Sequence, residues 1–242
     1  MKLIDLHGHH GPINSFPMFR GSSKDMLREM DRHGVETLAL SPHKALVLAG
    51  VNEETLAVLG EGAGRFLGYW VVHPQAADPL KEIPQYEKHR RAGFVGFKFH
   101  STLHNYPIDG PLNAPWWAYA NEHRLLVLAH TWGGDSRCGF ANCQKISEAY
   151  PGVRFILGHS GYHEHERFAT LARDFENVYL DTCAAGCLNG SIEAMVRVAG
   201  SKKLVYGTDL PWFDPGYILG CVLHSRISDA DKRNILYDNA AR

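Results

Sequence analysis

The chain has 242 residues, 45% of them hydrophobic and 21% charged, with a formal net charge of −1. That length and composition suit one large soluble α/β domain with an ample core, and the balanced charge speaks against nucleic-acid or acidic-membrane partners. Five cysteines in a chain of this size argue against a disulfide framework and for a reducing compartment, so the sequence reads as cytoplasmic. The anomaly is 15 histidines, spread from His7 to His224.

The first ten residues, Met1-Lys-Leu-Ile-Asp-Leu-His-Gly-His-His10, set the pattern. An apolar-rich run, Lys2–His7, reads as a strand that ends in His7-Gly8-His9. Side chains alternate faces along a strand, so His7 and His9 point the same way and make half a metal site. Asp5 should share that face, deeper in, in an internal hydrogen bond or ion pair and not as a metal ligand.

The strands expected after the first are Val35–Leu40, Phe66–His73, Phe94–His100, Leu125–His130, Val153–His159, Asn177–Asp181 and Lys203–Asp209. Between and after them lie helix-like stretches: Ser22–His33, Asn52–Leu59, Pro79–Arg91, Pro115–Arg124, Ala141–Tyr150, His163–Phe175, Ser191–Ala199, Gly216–Ser225 and Asp229–Ala240. Ser22-Ser23 suits the cap of the first helix and Gly34 its end. The strands are near-continuous apolar runs, as a buried parallel sheet requires. Eight strand–helix units over residues 1–242 predict one (β/α)8 TIM barrel without a domain boundary. A doubly wound open sheet is the alternative, but it would not put polar residues at nearly every strand end.

Those ends hold His7, His9, His73, His100, His130, His159, Asp181 and Asp209, which a barrel brings to one mouth. Phe16, Phe19, Tyr106 and Trp132 lie in the loops on that side, where they either wall a substrate pocket or pack within their loops. Asp181-Thr-Cys183 is placed to orient a ligand histidine. His10 and His73 are supporting groups or exposed. Cys138/Cys143 and Cys183/Cys187 are close pairs without the CxxC spacing, and read as free buried thiols.

The chain resembles the amidohydrolase superfamily, in the TIM-barrel branch that includes aminocarboxymuconate-semialdehyde decarboxylase. The likeness rests on Asp5-Leu-His-Gly-His9, on His130 in Leu-Ala-His-Thr-Trp, on His159 in Leu-Gly-His-Ser-Gly and on Asp209 in Tyr-Gly-Thr-Asp-Leu-Pro-Trp. The closing Asn234-Ile-Leu-Tyr-Asp-Asn-Ala-Ala adds to it. The resemblance implies that His7, His9, His130 and Asp209 hold one divalent ion, with Zn2+ the first choice. It implies that Asp209 also acts as general base and that His159 binds the water or polarises the substrate. Lys98 in Gly96-Phe-Lys-Phe-His100 is ambiguous. It and His100 share a face and suit a substrate carboxylate, yet some family members carry a carbamylated lysine there between two metals.

Two activities follow from the resemblance: hydrolysis of a small ester, lactone or amide, or non-oxidative decarboxylation of an aromatic or muconate-type acid. A decarboxylase would want a cation for the carboxylate, from Lys98, Arg20 or Arg137. A non-enzymatic binding module would be favoured by loss of a ligand, and all are present. The expected partner is a small carboxylate-bearing molecule, and the family suggests a homodimer.

Overall fold

A computed structural model describes residues 2–12, 21–184 and 188–242. It holds eight parallel strands ordered β1 to β8 around a barrel. In chain order the elements are β1 (Leu3–His10), α1 (Ser23–His33), β2 (Val35–Pro42), α2 (His43–Val47), α3 (Thr55–Glu61), β3 (Phe66–Val71), α4 (Pro79–His89), β4 (Phe94–Phe99), α5 (Ser101–His104), α6 (Ala114–Glu122), β5 (Leu126–Trp132), α7 (Phe140–Ala149), β6 (Arg154–Tyr162), α8 (His165–Asp174), β7 (Val178–Asp181), α9 (Ser191–Ala199), β8 (Leu204–Val205), α10 (Pro215–His224) and α11 (Asp229–Arg233). The barrel closes where Leu6 N–H donates to Tyr206 O at 2.9 Å and Asp209 N–H to His7 O at 2.7 Å.

The TIM barrel expected from eight strand–helix units is therefore the fold, and the doubly wound sheet is not. Two short helices, α2 and α5, escape a periodicity reading because each is about one turn long. The expected last strand Lys203–Asp209 is paired only over Leu204–Val205. Beyond it the chain turns into the mouth, and Asp209 adopts φ 65°. Helix α1 starts and stops as its residues dictate: Ser22 accepts the Asp25 N–H at 3.2 Å, and Gly34 ends the helix at φ 75°.

The core has two layers. Leu6, Ala39, Tyr69, Leu128, Ile156 and Val205 come from six different strands and no helix, so they fill the barrel interior. A larger cluster joins the outer strand faces to the helices, as where Trp117 stacks on Phe99 with ring centroids 4.5 Å apart. In β1 the pairing with β2 shifts between Asp5 and Gly8. Such a bulge resets the alternation, so Leu6 belongs to the inner core and the next residue, His7, faces the mouth above it. A Cβ on Gly8 would strike the Leu38 side chain, so this residue faces outward and His9 returns to the mouth. Asp5 turns to the segment that follows β8 instead of lying below His7. It accepts from His7 N–H at 3.0 Å and from Thr208 N–H at 3.2 Å and Oγ1 at 2.5 Å. Among the described residues no helix is long and apolar enough to cross a membrane.

Candidate metal centre

His7, His9 and Asp209 converge, with one ligand atom from each lying within 4.8 Å of the others. The outward nitrogen of each histidine is occupied. His7 Nδ1 meets Asp181 Oδ2 at 2.6 Å, and His9 Nδ1 meets the Ser41 carbonyl at 3.0 Å. Ser41 Oγ also lies 3.1 Å from this nitrogen; a proton on Nδ1 serves the carbonyl, which can only accept, and leaves Nε2 a bare lone pair. That nitrogen lies 2.9 Å from Asp209 Oδ1. Two acceptors at this separation call for a proton or a cation between them. This donor set, two oriented imidazoles and a carboxylate, fits a divalent ion.

Asp181, expected to orient a ligand histidine, contacts His7. Burial lowers His7 and raises Asp181, so the pair keeps one proton between them. Asp181 Oδ1 also accepts the His159 N–H at 2.7 Å, which ties the ends of β6 and β7 to β1. Burial opposes ionisation of Asp209, but His7 and His9 hold its carboxyl well below the usual range. Asp209 and His159 both have left-handed backbones, at φ 65° and 64°. Non-glycine residues pay about 1–2 kcal/mol for this conformation, and such strain gathers at functional sites.

His130 stands beside this cluster and is not drawn into it. Its ring stacks between His100, at 4.2 Å and 12°, and Trp132, at 5.7 Å and 6°, with His159 edge-on at 4.7 Å. His100 turns its Nδ1 to the Leu103 N–H at 3.3 Å and so caps α5. Lys98 is 1% exposed at the floor of the mouth, where its Nζ lies 2.9 Å from His7 Nε2. Burial pushes it down to about 8, against the pull of Asp209 and Asp181. Trp132 is a wall of the mouth, stacked on His130 and Tyr162. Tyr106 is not. Its hydroxyl accepts the Leu112 N–H at 3.0 Å within its own loop. Arg137 is also committed elsewhere, paired to Asp135 through Nε at 2.9 Å and NH2 at 2.8 Å. Phe16, Phe19, Arg20 and Cys187 lie outside the described residues.

Sequence reading missed two contributors. His43 stacks on His9 at 5.0 Å and 20°, gives its Nδ1–H to Gly11 O at 2.6 Å, and accepts Trp212 Nε1–H at 2.7 Å. Burial lowers it to about 4, so it is a neutral plate that fixes the His9 ring. Its sequence signal was its place just past the second strand end, in Ser41-Pro-His43. A cavity of about 930 Å³, lined in part by His10, Pro42, Val51 and Leu103, opens beside it. The second contributor, Cys183, was expected only as part of the Asp181-Thr-Cys183 motif and as a free buried thiol. Its Sγ lies 3.1 Å from His159 Nδ1, and burial with Asp209 and Asp181 keeps it a thiol. Cys138 and Cys143 are free and buried, as expected. The remaining strand-end histidine is structural: His73 and its stacking partner His104 bind the carbonyls of Ala45 and Leu46 at 2.6 and 2.9 Å, which anchors α2.

Comparison with known proteins agrees with this architecture. The family model described as "Amidohydrolase" matches residues 4–242. A search of the curated proteins finds no match. Among solved structures, 2,6-dihydroxybenzoate decarboxylase from Rhizobium is 17% identical, with a TM-score of 0.78 over 100% of this chain and 98% of that one. A dihydroxybenzoic acid decarboxylase from Polaromonas, crystallised with manganese, is 17% identical at a TM-score of 0.77, over 99% and 95%. A Pseudomonas putida protein named as a 2-pyrone-4,6-dicarboxylic acid hydrolase is 17% identical at 0.75, over 99% and 96%. At these identities the likeness establishes the fold.

Proposed function

The chain belongs to the amidohydrolase family, and on that premise we propose that it is a metal-dependent hydrolase of a small, carboxylate-bearing ester, lactone or amide. The observation that carries this reading is the bare Nε2 of His9 held 2.9 Å from Asp209 Oδ1. His7, His9 and Asp209 would hold the ion, with His130 beside them as the fourth ligand. A divalent ion there supplies Lewis acidity, which polarises a substrate oxygen and lowers the pKa of water toward about 7.

The chain's own groups do the rest. Asp209 takes the proton of the attacking water and returns it to the leaving oxygen or nitrogen. His159 hydrogen-bonds the substrate carbonyl as charge develops on its oxygen. Lys98 and His100 bind the substrate carboxylate. Asp181, Ser41 and His43 hold the two β1 histidines in one orientation.

A second reading, non-oxidative decarboxylation, is favoured by the stacked His100, His130 and Trp132 rings, which suit a planar acid. The Rhizobium and Polaromonas proteins are decarboxylases. In that chemistry Asp209 and His159 hold the proton delivered to the carbon that loses CO2.

The test is a screen of lactones and esters beside aromatic carboxylic acids, with CO2 release monitored and the Asp209→Asn variant in parallel. Hydrolysis without CO2, reduced at least about 100-fold in Asp209→Asn, supports the first reading. CO2 release selects the second, and full activity in Asp209→Asn removes this residue from both. Metal analysis separates zinc from manganese. One ion per chain supports the mononuclear site, and two ions with a carbamylated Lys98 replace it with the bridged one.

A further inference from the structure

At the opposite end of the barrel from the metal centre lies a second cavity, of about 650 Å³. Its floor is apolar and belongs to the barrel interior, with Leu126, Ile156 and Tyr179 among its residues. Its rim carries Arg124, Arg154 and Arg242, with Arg90 paired to Glu87 at 3.5 Å, and no lining residue is Asp or Glu.

Most arginines outside the cavity are paired to a carboxylate, as Arg65 is to Asp31 at 2.5 Å and Arg197 to Glu166 at 3.0 Å. Among the described residues, Arg124 and Arg154 have no carboxylate partner and no side-chain hydrogen bond. Their placement is specific. Arg154 pairs in register with Leu126, and Arg124 precedes Leu126 by two residues, so the two guanidinium groups leave the starts of neighbouring strands.

The backbone gives an independent sign. The turns that lead into β2, β3, β4 and β8 place Gly34, Gly64, Gly93 and Gly200 at positive φ. The turn into β5 places Arg124 there instead, at φ 51°. Glycine would hold that conformation without the penalty an L side chain incurs. Arg124 thus stands in a conformation that glycine adopts more easily than an L side chain.

We propose that this end of the barrel is a binding site for a small amphipathic carboxylate. Its carboxylate pairs with the forked guanidinium groups of Arg124 and Arg154, and its apolar body rests on Leu126, Ile156 and Tyr179. The volume suits a ligand of that size, and the pairing of a planar cation with a carboxylate is the arrangement in which arginine is strongest. The site stands apart from the metal centre and does not depend on which reaction occurs there.

The experiment is equilibrium binding of benzoate and of inorganic phosphate to the full chain, compared with the Arg124→Gln/Arg154→Gln and Tyr179→Ser variants. Arg226→Gln, outside the cavity, is the control. The double variant should lose one bound equivalent of benzoate, or bind it at least about tenfold more weakly, while the control matches the parent. Tyr179→Ser should weaken benzoate and leave phosphate unchanged. Turnover at the metal centre should persist in the double variant, which separates this site from the mouth. Benzoate stoichiometry and affinity unaltered in the double variant would overturn the proposal. So would phosphate bound as tightly as benzoate, because that result leaves a charged rim with no apolar subsite.

Discussion

Replacing Asp181 by Asn tests the logic of the candidate metal centre without touching a proposed ligand. Asp181 Oδ2 accepts from His7 Nδ1 at 2.6 Å, and Oδ1 accepts from the His159 N–H at 2.7 Å. Asn keeps the shape and one acceptor. Because the His159 N–H demands that acceptor, the amide NH2 must face His7. Two donors would then meet at His7 Nδ1, so the imidazole moves its proton to Nε2. The lone pair that faces Asp209 is lost. Partners of this kind contribute about 10–100-fold to metal affinity, or about 1.4–2.7 kcal/mol. Competition against a chromophoric chelator, with the fold checked by circular dichroism, should show that loss in Asp181→Asn. Unchanged affinity in a folded variant would refute the claim that Asp181 fixes the His7 tautomer.

Addition of Zn2+ or Mn2+ at about 100 times Kd should stabilise the protein by about 2.7 kcal/mol. In a chain of this length that raises Tm by roughly 5–10 °C, and a chelator should reverse it. A Tm indifferent to both ions would remove the metal from the site. Cys183→Ala should lower kcat by about tenfold, because it leaves buried His159 Nδ1 without its partner, whereas Cys183→Ser should restore most of the rate. Equal rates in the two variants would exclude a positioning role. Arg137 holds the Asp135 carboxyl well below its usual range. The stability from this pair is therefore full above the unfolded carboxyl pKa of about 4 and falls as the pH drops below it. Asp135→Asn should lower stability at pH 7 and progressively less under acid, as read by urea unfolding.

The TIM barrel was legible because its information is local and repeated: eight apolar runs, each followed by an amphipathic stretch. The convergence of His7, His9 and Asp209 was legible for a related reason. In a barrel every strand ends at the same rim, so strand-end histidines and aspartates must meet whatever their separation in sequence. The HxH spacing of His7 and His9 needed no more than strand periodicity. The bulge at Asp5–Gly8 kept both histidines facing the mouth while turning Asp5 to Thr208, which alternation alone did not foresee.

Tertiary structure decided which strand-end residues became neighbours at bonding distance and which became plates, props or clamps. His130 was drawn into a stack with His100 and Trp132, and His43 into one with His9. Arg137 was claimed by Asp135, and Tyr106 by its own loop. A sequence specifies that such a residue arrives at the rim. Which way its ring turns depends on partners contributed by other strands, and those contacts exist only once the barrel has closed.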